Sequence, residues 1–156
     1  MRKRQRGFSS AELVVIVAIL LVIAAIAIPN LLHSKLSENE SSAVGSLGRL
    51  NSSCASYLML YGGYPKSLSN LGPGNPAHSA SADLIDSALV SGTKSGYAFT
   101  YTPGATGVRG NVLSYSITAN PTSPGITGRR GFFTDQSGVI RANTTGAADA
   151  GSTPIG

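Results

Sequence analysis

Gly7-Phe8-Ser9-Ser10-Ala11-Glu12 leads into Leu13-Val14-Val15-Ile16-Val17-Ala18-Ile19-Leu20-Leu21-Val22-Ile23-Ala24-Ala25-Ile26-Ala27-Ile28, closed by Pro29. Counted from Phe8 to Ile28 the stretch is about 21 residues, and as a helix it would span about 31 Å, the thickness of a bilayer's hydrocarbon core. A single carboxylate, Glu12, stands at its lip. Near the centre of a membrane helix such a charge costs about 2.5–3.5 kcal/mol, so intramembrane acids are rare and have a partner. What Glu12 pairs with is the question on which the rest of the chain turns.

Upstream of the apolar run lie Arg2, Lys3, Arg4 and Arg6, with no acid among them. That bias places the N-terminus in the cytoplasm and the remainder across or beyond the membrane. It also accounts for most of the formal net charge of +5. Four of the twelve basic residues precede Gly7, leaving eight basic against all seven acidic residues in the rest. The basicity is thus a property of the first seven residues and not the footprint of a nucleic-acid binder. A chain of 156 residues allows one modest domain plus an appendage. The only cysteine, Cys54, excludes an intramolecular disulfide and is expected as a small buried apolar residue on a helix.

Two processing schemes compete. In the first, Ala25-Ile26-Ala27 is a small-x-small signal-peptidase site, and a secreted soluble domain begins at Ile28. This gives Glu12 no purpose. In the second, the chain is cut between Gly7 and Phe8 and the apolar run stays in the mature protein. The new α-amine of Phe8 then lies about one helical turn from Glu12. In a staggered array of parallel helices, Glu12 of one copy meets the amine of the next. Setting register is the best-attested use of a buried ion pair.

Gly7-Phe8, Glu12, the solid apolar run and Pro29 together resemble the N-terminus of type IV prepilins and the related pseudopilins of type II secretion. The resemblance implies that a prepilin peptidase cuts after Gly7 and methylates the amine of Phe8. It implies that Glu12 aligns the subunit for assembly and that Pro29 is the helix kink. The implied partners are further copies of the chain in a helical homopolymer, the prepilin peptidase, an assembly platform in the inner membrane, and the membrane itself before assembly. The expected location is the inner membrane for the precursor, single-pass with a cytoplasmic N-terminus, and then an extracellular pilus or fimbrium. The expected function is that of a structural filament subunit serving adhesion, motility or DNA uptake. The alternatives are a pseudopilin or minor pilin of a type II secretion system, and the secreted domain freed after Ala27. Gly92-Thr93-Lys94-Ser95-Gly96-Tyr97 and Thr134-Asp135-Gln136-Ser137-Gly138-Val139-Ile140-Arg141 are also similar to segments of major-pilin-type proteins.

Past Pro29 apolar residues recur at Ala43, Leu47, Leu50, Cys54, Tyr57 or Leu58, and Tyr61, spacings of three and four that define one helical face. Ser42, Ser46, Arg49, Ser52, Ser53 and Ser56 mark the opposite face. One helix is therefore predicted from about Phe8 to Tyr61, about 80 Å long, ended by Gly62-Gly63 and Tyr64-Pro65. Lys66 to Ala82 reads as a loop pinned by Leu68 and Leu71, and Ala82 to Gly92 as a short helix. Tyr97–Tyr101, Leu113–Ala119, Gly131–Thr134 and Val139–Ala142 read as strands, the last two joined through Asp135-Gln136-Ser137-Gly138. The fold class is α+β, a long N-terminal helix, half transmembrane and half amphipathic, on an antiparallel sheet of about four strands. The organisation expected is a leader at 1–7, a filament-core half-helix at 8–29, an amphipathic half-helix at 30–61, a globular head at 62–143 and a flexible tail at 144–156.

The residues do not form an enzyme's constellation, and no cofactor is expected. His33 and His78 have no Cys or carboxylate at ligand spacing, so no metal site is expected. Asp83 and Asp86 read as solvated and Asp135 as a turn residue. Asn51-Ser52-Ser53 and Asn143-Thr144-Thr145 match the N-glycosylation triplet. Arg109 and Arg129-Arg130 fall in loops. Nucleic acid ranks last among the partners, reached only through DNA uptake. Solvated arginines guarding a hydrophobic strand are the stronger reading of the pair.

Overall fold

The computed structural model describes residues 8–155; the leader, and with it the expected cleavage glycine Gly7, lies outside the described residues. The first element, α1, is a 52-residue helix, Ser10–Tyr61, that continues through Pro29. The chain divides into two compact units, Met1–Lys35 and Leu36–Gly156.

In the first unit the large apolar side chains from Leu13 to Leu32 are exposed around the whole helix, from Ile16 at 40% to Ile26 at 72%. This is the expected behaviour of a helix with no polar stripe: it has no inward face of its own, and lipid or other protein must cover it. Among the described residues it is the one helix long and apolar enough to cross a membrane.

In the second unit α1 is one-sided. Leu36, Glu40, Ala43, Ser46, Leu47, Leu50, Ser53, Cys54 and Tyr57 are buried, at the three-and-four spacing of one face. Two serines assigned to the solvent face, Ser46 and Ser53, belong to the buried one. Ser53 Oγ donates to the Leu84 carbonyl at 3.1 Å, so the following loop wraps the helix further than its apolar stripe indicates. Gly62, at φ +73°, ends the helix in the left-handed conformation that glycine adopts without strain, and its N–H reaches the Leu58 carbonyl at 2.9 Å.

The sheet has six antiparallel strands in sequential order: β1 Thr93–Lys94, β2 Tyr97–Pro103, β3 Tyr115–Pro121, β4 Gly131–Asp135, β5 Arg141–Asn143 and β6 Thr153–Pro154. The inner four correspond to the four strands read from the sequence. The two added edges are two residues each, too short to show any alternation. Leu113 is 54% exposed and precedes β3, whereas Tyr115, Ile117 and Ala119 face the core as alternation requires. Asp135 closes the β4–β5 turn, its carboxylate accepting from Ser137 N at 2.9 Å and its carbonyl from Gly138 N at 3.0 Å.

The helix predicted over Ala82 to Gly92 is shorter. α2 covers only Ser87–Val90, with Asp86 as its N-cap accepting from Leu89 N at 2.8 Å. Ala82, Asp83, Leu84 and Ile85 instead donate their N–H groups to the carbonyls of Asn70, Gly72, Leu71 and Leu71. Those bonds pin the loop beside the 3-10 turn Leu68–Leu71 and leave four fewer residues for helix. Leu68 and Leu71 are buried there, and the core closes around Leu47, Leu50, Leu89, Tyr97, Ile117 and Phe132.

Candidate functional site

The expected assembly residues all fall in the first unit. Phe8 precedes α1 and is 70% exposed; Glu12 lies in the first helical turn with its side chain exposed. Leu13 N donates to the Ser9 carbonyl at 3.1 Å, which starts the helix there and leaves Glu12 at the positive end of the helix dipole. Phe8 and Glu12 are thus neighbours about one turn apart, while Pro29 lies far along the same helix. Downstream of Glu12 the next basic residues are His33 and Lys35, and the side chains that immediately follow it, Leu13 to Val17, are exposed and apolar.

The second unit holds polar groups whose importance the sequence does not announce. Glu40 is buried, and its carboxylate accepts three hydrogen bonds: from Arg129 N at 2.9 Å, Arg130 N at 3.2 Å and Arg130 Nε at 2.8 Å. Burial by itself disfavours the charged carboxylate, but these donors and the guanidinium outweigh it and hold the carboxyl below its ordinary value. The Arg130 guanidinium also lies over the Phe132 ring, 5.4 Å from its centroid. Tyr97 Oη donates to the Arg130 carbonyl at 2.9 Å, and its own pKa is pushed up to about 12, chiefly by burial. Arg130 is therefore not the solvated guard expected of it; it anchors the β3–β4 loop to α1.

A second anchor runs through Asn51. Its Nδ2 donates to Thr134 Oγ1 at 2.8 Å, its Oδ1 accepts from Tyr115 Oη at 3.0 Å, and Thr134 Oγ1 donates to the Val139 carbonyl at 3.1 Å. The acceptor amide that opens the first glycosylation triplet is thus engaged between helix and sheet. Asp86, expected as solvated, is the α2 cap and pairs with Lys94 at 3.4 Å and Arg49 at 3.6 Å. Cys54 is buried beside Tyr115, and desolvation pushes its thiol up to about 12. His33 and His78 are exposed, and among the described residues no group of three or more His, Cys, Asp and Glu side chains is placed to hold a metal ion.

A helix apolar all round in its first half and packed by its second half on an antiparallel sheet is the architecture of pilin-like subunits. The comparison with known proteins agrees at that level. Over 72 residues, 46% of this chain, the sequence is 35% identical to the type II secretion system core protein G of Dickeya chrysanthemi. The alignment takes in 47% of that protein, so the chain spans about half the length of the curated relative it matches. No protein-family model matches the chain.

Proposed function

We propose that this chain is a structural subunit of a type IV pilus-like filament, not an enzyme. The precursor inserts in the inner membrane with its N-terminus in the cytoplasm. A prepilin peptidase removes residues 1–7 and methylates the amine of Phe8, and the subunit then joins copies of itself through its N-terminal helix on an assembly platform. The observation that carries this reading is the uninterrupted, exposed apolar surface of α1 from Leu13 to Ile28 with one carboxylate, Glu12, in its first turn. Covering that surface with hydrocarbon or with identical helices is favourable at about 25 cal/mol per Å². Hydrocarbon gives Glu12 nothing, whereas a parallel neighbour offers it an amine.

The similarity to a secretion-system core protein favours a second reading, a pseudopilin that remains in the envelope. The N-terminus of the mature protein tests the shared part. Mass spectrometry is expected to find Phe8 first and one methyl group heavier; a start at Ile28 would refute both filament readings. Shearing the cell surface separates them, since a pilus subunit is abundant in sheared filaments and a pseudopilin is not.

A further inference from the structure

Where α1 ends, the second unit has a cleft of about 350 Å³ that the filament reading leaves unused. Its floor is aromatic and fixed. Tyr57 is buried and donates its hydroxyl to the Ser79 carbonyl at 2.6 Å; Tyr61 rests on Tyr57 with ring centroids 4.6 Å apart; Tyr64 packs edge-on to Tyr115 at 4.8 Å. Tyr61 keeps 38% of its surface exposed. Two cations, Lys66 and Arg109, line the same cleft and are exposed. Neither takes part in an ion pair or side-chain hydrogen bond among the described residues, and no lining residue is acidic.

We infer that this cleft binds one uronic-acid unit of an anionic polysaccharide. The apolar C–H face of the sugar ring would lie on Tyr61, and its carboxylate would sit between Arg109 and Lys66. Charge-assisted bonds of that kind are the strong ones, and a small aromatic cleft with a few polar groups is the usual form of a small-ligand site. The volume admits one ring, and one carboxylate per ring suits two cations that line the same cleft.

A nucleic-acid strand fits less well. It needs a track of cations along its backbone as well as stacking faces, and of the other basic side chains of this unit all but the exposed Arg129, which lines a different cleft, are engaged elsewhere. Arg130 is held by Glu40, Arg49 and Lys94 by Asp86, and Arg141 Nη1 donates to the Ser152 carbonyl at 3.2 Å. Lys66 and Arg109 are thus a pair at one cleft and not part of a cationic track.

Isothermal titration of the full chain in detergent micelles with alginate oligomers tests the inference. Neutral cello-oligomers and oligothymidylate of similar length serve as comparisons. Saturable alginate binding is expected, with no binding of the neutral oligomer. Lys66→Gln with Arg109→Gln, and separately Tyr61→Ala, should each weaken it about tenfold or more. Arg129→Gln, outside the cleft, should leave it unchanged, and Lys66→Arg should retain it. Tyr61 is the last residue of α1 and half open to solvent, so helical content by circular dichroism should stay at the wild-type level. Tighter binding of oligothymidylate, equal binding of the neutral oligomer, binding indifferent to the cleft variants, or no binding of alginate would each overturn the inference. Because unassembled subunits are titrated, the outcome is independent of whether the chain forms filaments.

Discussion

Glu40 shows how a single carboxylate can be placed by groups that the sequence keeps distant. Arg130, its ion partner, is 90 residues on, and nothing in a Ser-Glu-Asn-Glu run distinguishes Glu40 from Glu38. Its folded pKa is lowered, so the stability it contributes is fully present above the unfolded value near 4.5 and is lost as pH falls through the folded one. Glu40→Gln keeps the shape but removes the charge. It should cost about 1–3 kcal/mol at neutral pH, with the exposed share of Arg130 pulling it toward the lower end. Thermal melts of the full chain in detergent should show the two proteins converging below about pH 4.5. A constant gap down to strongly acid pH would show that the ion pair contributes nothing. Cys54 makes the opposite case, being legible from its helical spacing alone. Buried, with its thiol raised to about 12, it should resist maleimide labelling at mildly alkaline pH in the folded protein and react fully on denaturation.

At the scale of elements, periodicity was enough wherever an element was long. The face of α1 from Ala43 to Tyr57 follows the three-and-four spacing, and β2 and β3 alternate as their sequences do. It failed where the hydrogen bonds of a short segment went elsewhere. Ala82 to Ile85 have helical spacing, yet their N–H groups serve the loop at Asn70 to Gly72. The edge strands β1 and β6 owe their existence to pairing with β2 and β5, not to any pattern of their own. The joint between helix and sheet is equally silent in sequence, because Asn51, Tyr115 and Thr134 converge only in the fold. Asn51→Ala leaves the Tyr115 hydroxyl without its acceptor in a half-buried site and should cost about 1–3 kcal/mol. A lowered urea midpoint with an unchanged m-value is the expected signature. Leu50→Ala, wholly inside the core, should cost more, about 2–5 kcal/mol.

At the scale of the molecule the two units pose different physical problems. The second satisfies itself: its apolar residues close a core, and its buried Glu40 has three donors. Among the described residues, the first unit taken alone satisfies neither its apolar surface nor the requirement of a carboxylate set beside it. A bilayer answers the first need and not the second, so on the proposed reading Glu12 is tolerated in the membrane and stabilised in the filament. Glu12→Ala should then raise, not lower, the affinity of the precursor for the membrane, by about the 2.5–3.5 kcal/mol that a central charge costs or less at the helix end. Processing at Gly7 should persist, because the peptidase site precedes Glu12. Assembly should fail, because every stagger of parallel apolar helices becomes nearly equivalent once the one charge that penalises wrong registers is gone. Co-expression of wild type with increasing Glu12→Ala should shorten filaments progressively, since each substituted copy removes one amine–carboxylate contact. The measurement is the yield of sheared or cross-linked oligomers against processed, membrane-held subunit. Filaments of normal length and yield from Glu12→Ala alone would remove the register function from Glu12 and leave the apolar helix as the whole basis of assembly.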